Sequence, residues 1–242
     1  MTQITDRFAF EYEVATKPRI SYMICSVPRS GSSLLCELLA GTLHAGMPAE
    51  YFRPDVMARF KRRWAVETFD DYLRELMKRK TSPNGVFGLK VHWDQYETLA
   101  EERDPAPRFP DLHFIEARRD DHVRQAVSWV RALQTGAWSS LISPEVSRPA
   151  VFDREDIERK IGRLEREENA WQEFFRRHEI TPHRVSYEGL AQAPEEHVRD
   201  LLEFLGQTLP TDFEIEPPVM ERQTDELSEE WVARYLAESG RP

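Results

Sequence analysis

The segment between residues 20 and 40 restricts the fold more than any other part of the sequence. An apolar run at 20–26 leads directly into a turn rich in proline, serine and glycine, and a second apolar run follows at 33–40. The first run has the length and composition of a buried β-strand. The second has the apolar density of a helix, with Gly41 as its stop. A strand, a tight loop and a helix in this order form the first half of a βαβ unit.

The same alternation continues along the chain and predicts the fold class. Further strands are predicted at 86–91, 112–117 and 182–187. Helices are predicted at 54–64, 68–80, 121–134, 154–178 and 194–205, and loops at 101–111 and 138–153. We therefore predict a single α/β domain over residues 1–242, with a parallel central sheet flanked by helices and with 1–18 as a tail or edge segment. Ligands of such folds bind at the carboxyl ends of the strands.

Composition argues against several classes of function. The chain has 242 residues, of which 40% are hydrophobic, and this is enough for one domain with a substantial core. Its net charge of −10 argues against nucleic-acid binding. No apolar run approaches the ~18 residues of a membrane span, and the first residues lack the apolar stretch of a signal peptide. We therefore expect a cytoplasmic protein.

The cysteines and histidines do not indicate a metal site. Cys25 and Cys36 are too few for a disulfide framework and lack zinc-binding spacing, so both are predicted to be buried. The seven histidines are scattered along the chain and form no group with carboxylates at the spacing of metal ligands. We therefore predict a protein that works without a metal ion.

The loop after the first strand has the composition of an anion cradle. It comprises Pro28, Arg29, Ser30, Gly31, Ser32 and Ser33. Unpaired N–H groups at the start of the following helix attract anions, and the helix dipole adds to this attraction. Gly31 lets the backbone approach a ligand closely, the serines add hydroxyl donors, and Arg29 adds a planar cation. The sequence therefore predicts that a phosphate-like group binds at this loop.

A nucleoside triphosphate fits this loop poorly. When Gly31 is aligned with the second glycine of the pattern G-x-x-x-x-G-K-[ST], Cys25 takes the place of the first glycine and Ser32 that of the lysine. The lysine that contacts the terminal phosphates is therefore missing. A magnesium-dependent small-molecule kinase stays open as an alternative, and so does a protein that binds a nucleotide without catalysis.

The loop resembles the 5′-phosphosulfate loop of sulfotransferases that use 3′-phosphoadenosine 5′-phosphosulfate (PAPS). Within that superfamily the chain is similar to the bacterial trehalose 2-sulfotransferase group, with its lipopolysaccharide- and Nod-factor-type sugar sulfotransferases. The resemblance covers most of the chain through five blocks, at 28–35, 48–52, 84–90, 119–136 and 221–235. It implies the P-loop-like sulfotransferase fold, PAPS as co-substrate without a metal, a carbohydrate or glycolipid acceptor, and a homodimer.

The resemblance also implies which residues bind the donor. In the superfamily an arginine at a strand end and a serine in the next helix bind the 3′-phosphate. These correspond to Arg119 and Ser128, with Arg118 as an alternative to Arg119. The resemblance further places Tyr187, in the motif Tyr-Glu-Gly-Leu, near the adenine. It places two more residues in a C-terminal segment that closes over the nucleotide, namely Arg222 and Gln223.

The catalytic base implied by the resemblance is Glu50, in the block Pro-Ala-Glu-Tyr-Phe. A carboxylate within hydrogen-bond reach can take the proton that an acceptor hydroxyl loses as it attacks the sulfur in line. Arg29 and Lys90 are expected to neutralise the sulfuryl oxygens and the leaving phosphate. Aromatic faces, amides and carboxylates suit a sugar acceptor. The candidates for acceptor binding are Glu50, His92, Trp93, Gln134 and Trp138, and His92 is also a second candidate for the base.

Overall fold

The computed structural model describes residues 6–138, 149–219 and 225–240. Within them a single sheet contains four strands in the spatial order β2-β1-β3-β4, and every neighbouring pair is parallel. The strands are β1 (Ile20–Ser26), β2 (Val86–His92), β3 (Leu112–Arg118) and β4 (His183–Ser186). Because all four run in one direction, their carboxyl ends meet at one edge of the sheet. Arg222, Gln223 and most of the predicted 138–153 loop lie outside the described residues.

Helices cover both faces of the sheet, which confirms the predicted fold class. Those that precede β3 are α1 (Ser32–Gly41), α2 (Pro54–Trp64), α3 (Phe69–Lys80) and α4 (Trp93–Arg103). Those that follow it are α5 (His122–Thr135), α6 (Arg154–Arg177), α7 (Tyr187–Gln192), α8 (Pro194–Phe204) and α9 (Glu226–Ser239). No helix in the described part of the chain is long and apolar enough to cross a bilayer.

Alternate residues of β1 belong to two apolar layers. Met23 and Cys25 belong to the layer that includes α5 and α6, where Trp171 and Ile161 are buried. Tyr22 and Ile24 belong to the layer formed by α1 and α8. Burial of a large apolar side chain contributes about 1.5–3 kcal/mol, so a central strand buried on both faces is held firmly. The end of β1 is therefore a rigid base for the loop that follows.

Most helices begin at a residue whose side chain accepts a hydrogen bond from the first turn. Five starts of this kind are described, at Thr68, Asp121, Asp153, Ser186 and Asp225. Such a cap satisfies one of the free N–H groups that every helix start carries. Among the described residues no side chain caps α1, α2 or α8; α2 and α8 begin with a proline, whereas the N-cap of α1 is Gly31.

Four elements differ from the sequence-based predictions. The predicted strand at 182–187 ends at Ser186, because the Ser186 hydroxyl accepts a hydrogen bond from Gly189 and starts α7 at Tyr187. The predicted loop at 101–111 begins inside α4, which ends at Arg103, and contains a short 3₁₀ turn at Ala106–Arg108. Helices α4 and α9 were not predicted at all.

The predicted tail at 1–18 is held against α2 and α3 over its described part. The ammonium group of Lys80, at the end of α3, donates hydrogen bonds to the carbonyls of Arg7, Phe8 and Phe10. Glu11 forms ion pairs with Arg63 at 3.1 Å and Arg79 at 2.8 Å. No strand forms at residues 6–18.

Candidate active site

The backbone of the loop after β1 is shaped to receive an anion. Arg29 and Gly31 both have left-handed φ angles, of 63° and 83°. Loops of this kind turn successive N–H groups towards one point and form an anion-binding concavity. Gly31 is required here, because a Cβ atom at this position would lie 2.6 Å from Cδ2 of Tyr187. The loop thus leads into the uncapped start of α1, as the sequence predicts for a phosphate-like ligand.

Two buried polar atoms beside this loop lack a partner. The Ser30 hydroxyl and the Gln125 carbonyl oxygen make no hydrogen bond to any described residue. The amide of Gln125 donates to the carbonyl of Pro28 at 2.8 Å and so fixes the start of the loop. A buried polar group without a partner costs about 1–3 kcal/mol. The Ser30 hydroxyl is therefore suited to donate to a ligand bound in the loop.

Arg29 connects the loop to α5. Its Nε donates to the Ser128 hydroxyl at 2.9 Å, and its Nη1 donates to the carbonyl of Trp138. Burial, and next the nearby charge of Arg119, lower the pKa of Arg29 to about 10. The guanidinium is still charged at neutral pH, and it lies between the loop and the serine that the sequence assigned to the 3′-phosphate. The structure therefore brings three of the predicted site residues together, Arg29, Ser128 and Trp138.

The structure distinguishes Arg119 from Arg118. Arg119 is 9% exposed, and its guanidinium lies 4.6 Å from the ring centroid of Tyr187. Its Nε makes no hydrogen bond to a described residue, and Glu188 is 3.8 Å away. Arg118 is half exposed and pairs with Asp120 at 2.8 Å. Burial lowers the pKa of Arg119, which means that the site holds a poorly solvated cation. Arg119 is therefore the better candidate for an anion ligand.

A second cluster forms around Glu50 at the carboxyl end of β2. Lys90 forms an ion pair with Oε1 of Glu50 and donates to the Ser33 hydroxyl at 3.0 Å. Gln95 donates to Oε2 at 3.2 Å, and Nε2 of His92 lies 3.6 Å from Oε1. Lys90 thus joins the carboxylate to the first turn of α1. The predicted base and the predicted cation are in direct contact.

The charge balance of this cluster keeps Glu50 ionised. Burial acts to raise the pKa of Glu50, but the charge of Lys90 and then the contacts with His92 outweigh it. The pKa of Glu50 consequently lies well below its usual value of 4.5. An ionised carboxylate can accept a proton, although its low pKa makes it a weak base in the resting state.

Main-chain contacts hold Glu50 in place. The amide of Lys90 donates to the carbonyl of Ala49 at 3.0 Å, which ties the segment before Glu50 to β2. The hydroxyl of Tyr72 donates to the carbonyl of Tyr51 at 2.7 Å, and that of Tyr51 donates to Met47. Both tyrosines are fully buried. The carboxylate is therefore presented by an irregular but well-packed segment.

The residues predicted to bind the acceptor differ in how far contacts within the protein already occupy their side chains. His92 faces Glu50, whereas Trp93 packs edge-on against Trp171 with the ring centroids 5.0 Å apart. The Gln134 amide both donates to and accepts from the backbone of Val151, at 3.0 and 2.8 Å. Trp138 is 44% exposed. Packing thus accounts for Trp93 and Gln134 without a ligand, and a role in acceptor binding stays a prediction for all four.

Sequence reasoning did not identify Gln95 or Gln125. Gln95 is three residues after His92, and its side chain also accepts a hydrogen bond from the His92 amide at 3.3 Å. A polar residue followed by glutamine three positions later is a recognisable helix-start pattern, so Gln95 could have been found after β2. Gln125 carries no such signal. Among the described residues, no group of three histidine, cysteine or acidic side chains is placed to hold a metal.

Comparison with known proteins identifies the family of the chain. Residues 21–238 match the family model described as Stf0 sulphotransferase. Trehalose 2-sulfotransferase from Mycobacterium tuberculosis is 32% identical, and the match covers 91% of this chain and 96% of that protein. The protein of the same name from Mycolicibacterium smegmatis is 30% identical, with the same coverage.

A solved structure of similar size was also found. It is the sulfotransferase domain of the Synechococcus PCC 7002 olefin synthase, with 14% identity, a TM-score of 0.48 and coverage of 96% of this chain and 98% of that one. At this level of similarity it carries no argument about function. The family model and the two curated relatives cover most of the sequence, and on that basis this chain belongs to the Stf0 sulphotransferase family.

Proposed function

We propose that this sulfotransferase moves a sulfuryl group from PAPS to a hydroxyl of a carbohydrate or glycolipid acceptor. The observation that carries the proposal is the contact of Lys90 with both Glu50 and Ser33. One cation thereby links a candidate base to the uncapped start of α1, where an anionic donor would bind. A base on one side of the transferred group and an anion site on the other is the arrangement that in-line transfer needs.

The donor would be held by two groups of residues. The loop from Pro28 to Ser33 would bind the 5′-phosphosulfate through backbone N–H groups, with the Ser30 hydroxyl as a further donor. Arg119 and Ser128 would bind the 3′-phosphate, and Tyr187, whose ring lies under Arg119, would lie near the nucleotide. Arg29 already contacts Ser128, so its cation would lie between the two anionic ends.

The catalytic steps follow from the charges around Glu50. The acceptor hydroxyl would approach the Glu50 carboxylate and lose its proton as its oxygen attacks the sulfur. Negative charge then develops on the oxygen between sulfur and phosphate. Lys90 and Arg29 are the cations that would stabilise it, and Lys90 would be freed from Glu50 when that carboxylate becomes neutral.

A disaccharide is the first acceptor to test. Both curated relatives carry the name trehalose 2-sulfotransferase, and they cover nearly the whole chain. The homodimer and the cytoplasmic location stay predictions.

A sulfation screen tests the proposal. The purified protein is incubated with PAPS carrying radiolabelled sulfate and with trehalose, other disaccharides and glycolipids, and the products are separated and weighed by mass spectrometry. We expect label in one sugar class, without added magnesium. A parallel reaction with labelled ATP and magnesium tests the kinase alternative. Binding of the donor product without labelling of any acceptor would favour the alternative of a nucleotide-binding protein without transfer activity.

A further inference from the structure

The ring of His92 lies between a serine hydroxyl and the Glu50 carboxylate. His92 ends β2 and is the register partner of Ser26 at the end of β1. Its Nδ1 is 3.0 Å from the Ser26 hydroxyl, and its Nε2 is 3.6 Å from Oε1 of Glu50. The side chain is 13% exposed. The imidazole is therefore fixed from the strand side and directed towards Glu50.

The contacts of Ser26 are compatible with a proton on Nδ1 of His92. The Ser26 hydroxyl lies 3.5 Å from the carbonyl of Val91, and a carbonyl can only accept. When the hydroxyl donates there, its lone pairs are left to accept from Nδ1–H. In that tautomer Nε2 is unprotonated and can accept a hydrogen bond from Glu50 once the carboxyl has taken up a proton. Such a nitrogen can accept a proton.

A protonated Glu50 can pass its proton on readily. Lys90 stabilises the ionised form of the carboxylate, so a proton taken from a sugar hydroxyl is held weakly by Glu50. The carboxylate must lose that proton before the next acceptor can react. An acceptor bound over the site would limit the access of water, while Nε2 of His92 is already adjacent to Oε1.

We propose that His92 takes from Glu50 the proton that Glu50 removes from the acceptor. This inference rests on the proposed function. The acceptor O–H bond breaks as its oxygen bonds to sulfur, and the bond from sulfur to the bridging oxygen breaks with its electron pair left on the phosphate. The proton passes to the Glu50 carboxylate, then to Nε2 of His92, and finally to water. Closing the 3.6 Å gap to hydrogen-bond length takes a shift of about 0.5 Å.

The charges around His92 suit an imidazole that gains and loses a proton. Glu50 favours the protonated ring, and Lys90, two residues earlier on β2, opposes it. Glu167 on α6 is a third charge, since His92 acts to lower the pKa of that buried carboxyl. Gln95 on α4 is neutral and contacts Glu50. His92 acts through Glu50 and is a relay residue.

The substitution His92→Asn tests the relay. Asparagine keeps a donor near the position of Nδ1, for the contact with Ser26, and removes Nε2. We expect kcat for sulfuryl transfer to fall about 10–100-fold, with the affinity for 3′-phosphoadenosine 5′-phosphate (PAP) within about twofold of wild type. The wild-type kcat should depend on pH, and the variant should lose the part of this dependence that His92 causes. Added free imidazole should restore part of the rate.

Two results would overturn the relay. One is a kcat within about threefold of wild type. The other is a lower kcat with an unchanged pH profile and no response to imidazole, because a purely structural role would produce it. Ser26→Ala serves as a second variant if His92→Asn unfolds, and it should weaken the same pH dependence. Absence of sulfuryl transfer by the wild-type protein would instead overturn the proposed function, and the relay with it.

Discussion

Two buried lysines, Lys80 and Lys90, are stabilised by different kinds of partner. They are 0% and 4% exposed, and a buried cation is costly unless it is paired. Lys80 donates to three main-chain carbonyls and lies 5.8 Å and 5.5 Å from the ring centroids of Tyr51 and Phe60. Lys90 contacts only side chains in the described part of the chain, the Glu50 carboxylate and the Ser33 hydroxyl.

This difference indicates which of the two buried lysines can take part in a reaction. The three carbonyls around Lys80 match the three protons of an ammonium group, and they belong to the tail segment that Lys80 anchors. Burial lowers the pKa of Lys80 to about 7, and the charge of Glu11 acts in the opposite direction. The partners of Lys90 can change their protonation or turn towards a ligand. The nature of the partners, more than burial itself, separates the candidate active site from the structural contact.

Removing the partner of Lys90 should have the largest effect. In Glu50→Gln the amide cannot accept the acceptor proton, so we expect kcat to fall about 10²–10⁴-fold. Binding of PAP, measured by calorimetry, should stay within about twofold or become tighter, because Lys90 is freed for the phosphate. Turnover within about tenfold of wild type would show that Glu50 is not the base.

Exchanging each lysine for methionine tests the comparison directly. Lys90→Met should lower kcat by about 10²–10³-fold, because a cation near the leaving group is lost. Lys80→Met should leave kcat per folded molecule within about threefold, and it should lower the free energy of unfolding by about 2–4 kcal/mol, since buried carbonyls lose their donor. Enzyme assays and denaturant unfolding of both variants measure this. Equal losses of kcat in the two variants would contradict the distinction.

The comparison of buried charges also applies to Arg119 and Arg118, the two candidates for binding the 3′-phosphate of the nucleotide. Arg119→Ala should weaken PAP binding about 10–100-fold and leave ADP binding within about twofold, because charge-assisted contacts to the 3′-phosphate contribute about 1.5–3 kcal/mol. Arg118→Ala is the matched control and should change neither affinity more than twofold, since Arg118 pairs with Asp120 at the surface. Calorimetric titrations of both variants decide which arginine faces the ligand. The opposite ranking would exclude Arg119 from this role.

The smallest effect concerns stability in acid. The pKa of Glu50 is lower in the folded protein than in the unfolded chain, so its contribution to stability is present above pH 4.5 and is lost as the pH falls through the folded pKa. Between pH 6 and pH 3.5 the free energy of unfolding of Glu50→Gln should therefore decrease less than that of wild type. The free energy of unfolding of Lys80→Met should decrease as much as that of wild type over the same pH range. An identical decrease for Glu50→Gln and wild type would argue against the Lys90 pair.

The sequence predicted the elements that carry a strong apolar signal. Both ends of the strand Ile20–Ser26 were predicted correctly, because this apolar run is buried on both faces of the sheet. Helix α4 was missed because its sequence, Trp-Asp-Gln-Tyr-Glu-Thr-Leu-Ala-Glu-Glu-Arg, mixes charges with few apolar residues. Tyr187 was placed in a strand because the start of α7 depends on a hydrogen bond from Gly189 to Ser186.

The sequence predicted which residues form the candidate site, but it did not predict how they contact one another. The loop at 28–33 followed from its composition, whereas Glu50 followed only from the resemblance to a family. The ion pair of Glu50 with Lys90 joins residues 40 positions apart, and it depends on how the segment before Glu50 binds to β2. Pairings of this kind arise from sheet register and packing, which a single sequence does not encode locally.

The central claim is that the loop after β1, with Arg29 and Arg119, binds an adenylate that carries a 3′-phosphate. Isothermal titration of the wild-type protein with PAP and with ADP, without magnesium, tests this most directly. We predict that PAP binds at least about tenfold more tightly than ADP and that Arg119→Ala removes most of this preference. Equal affinity for the two nucleotides, or no binding of PAP, would contradict the account.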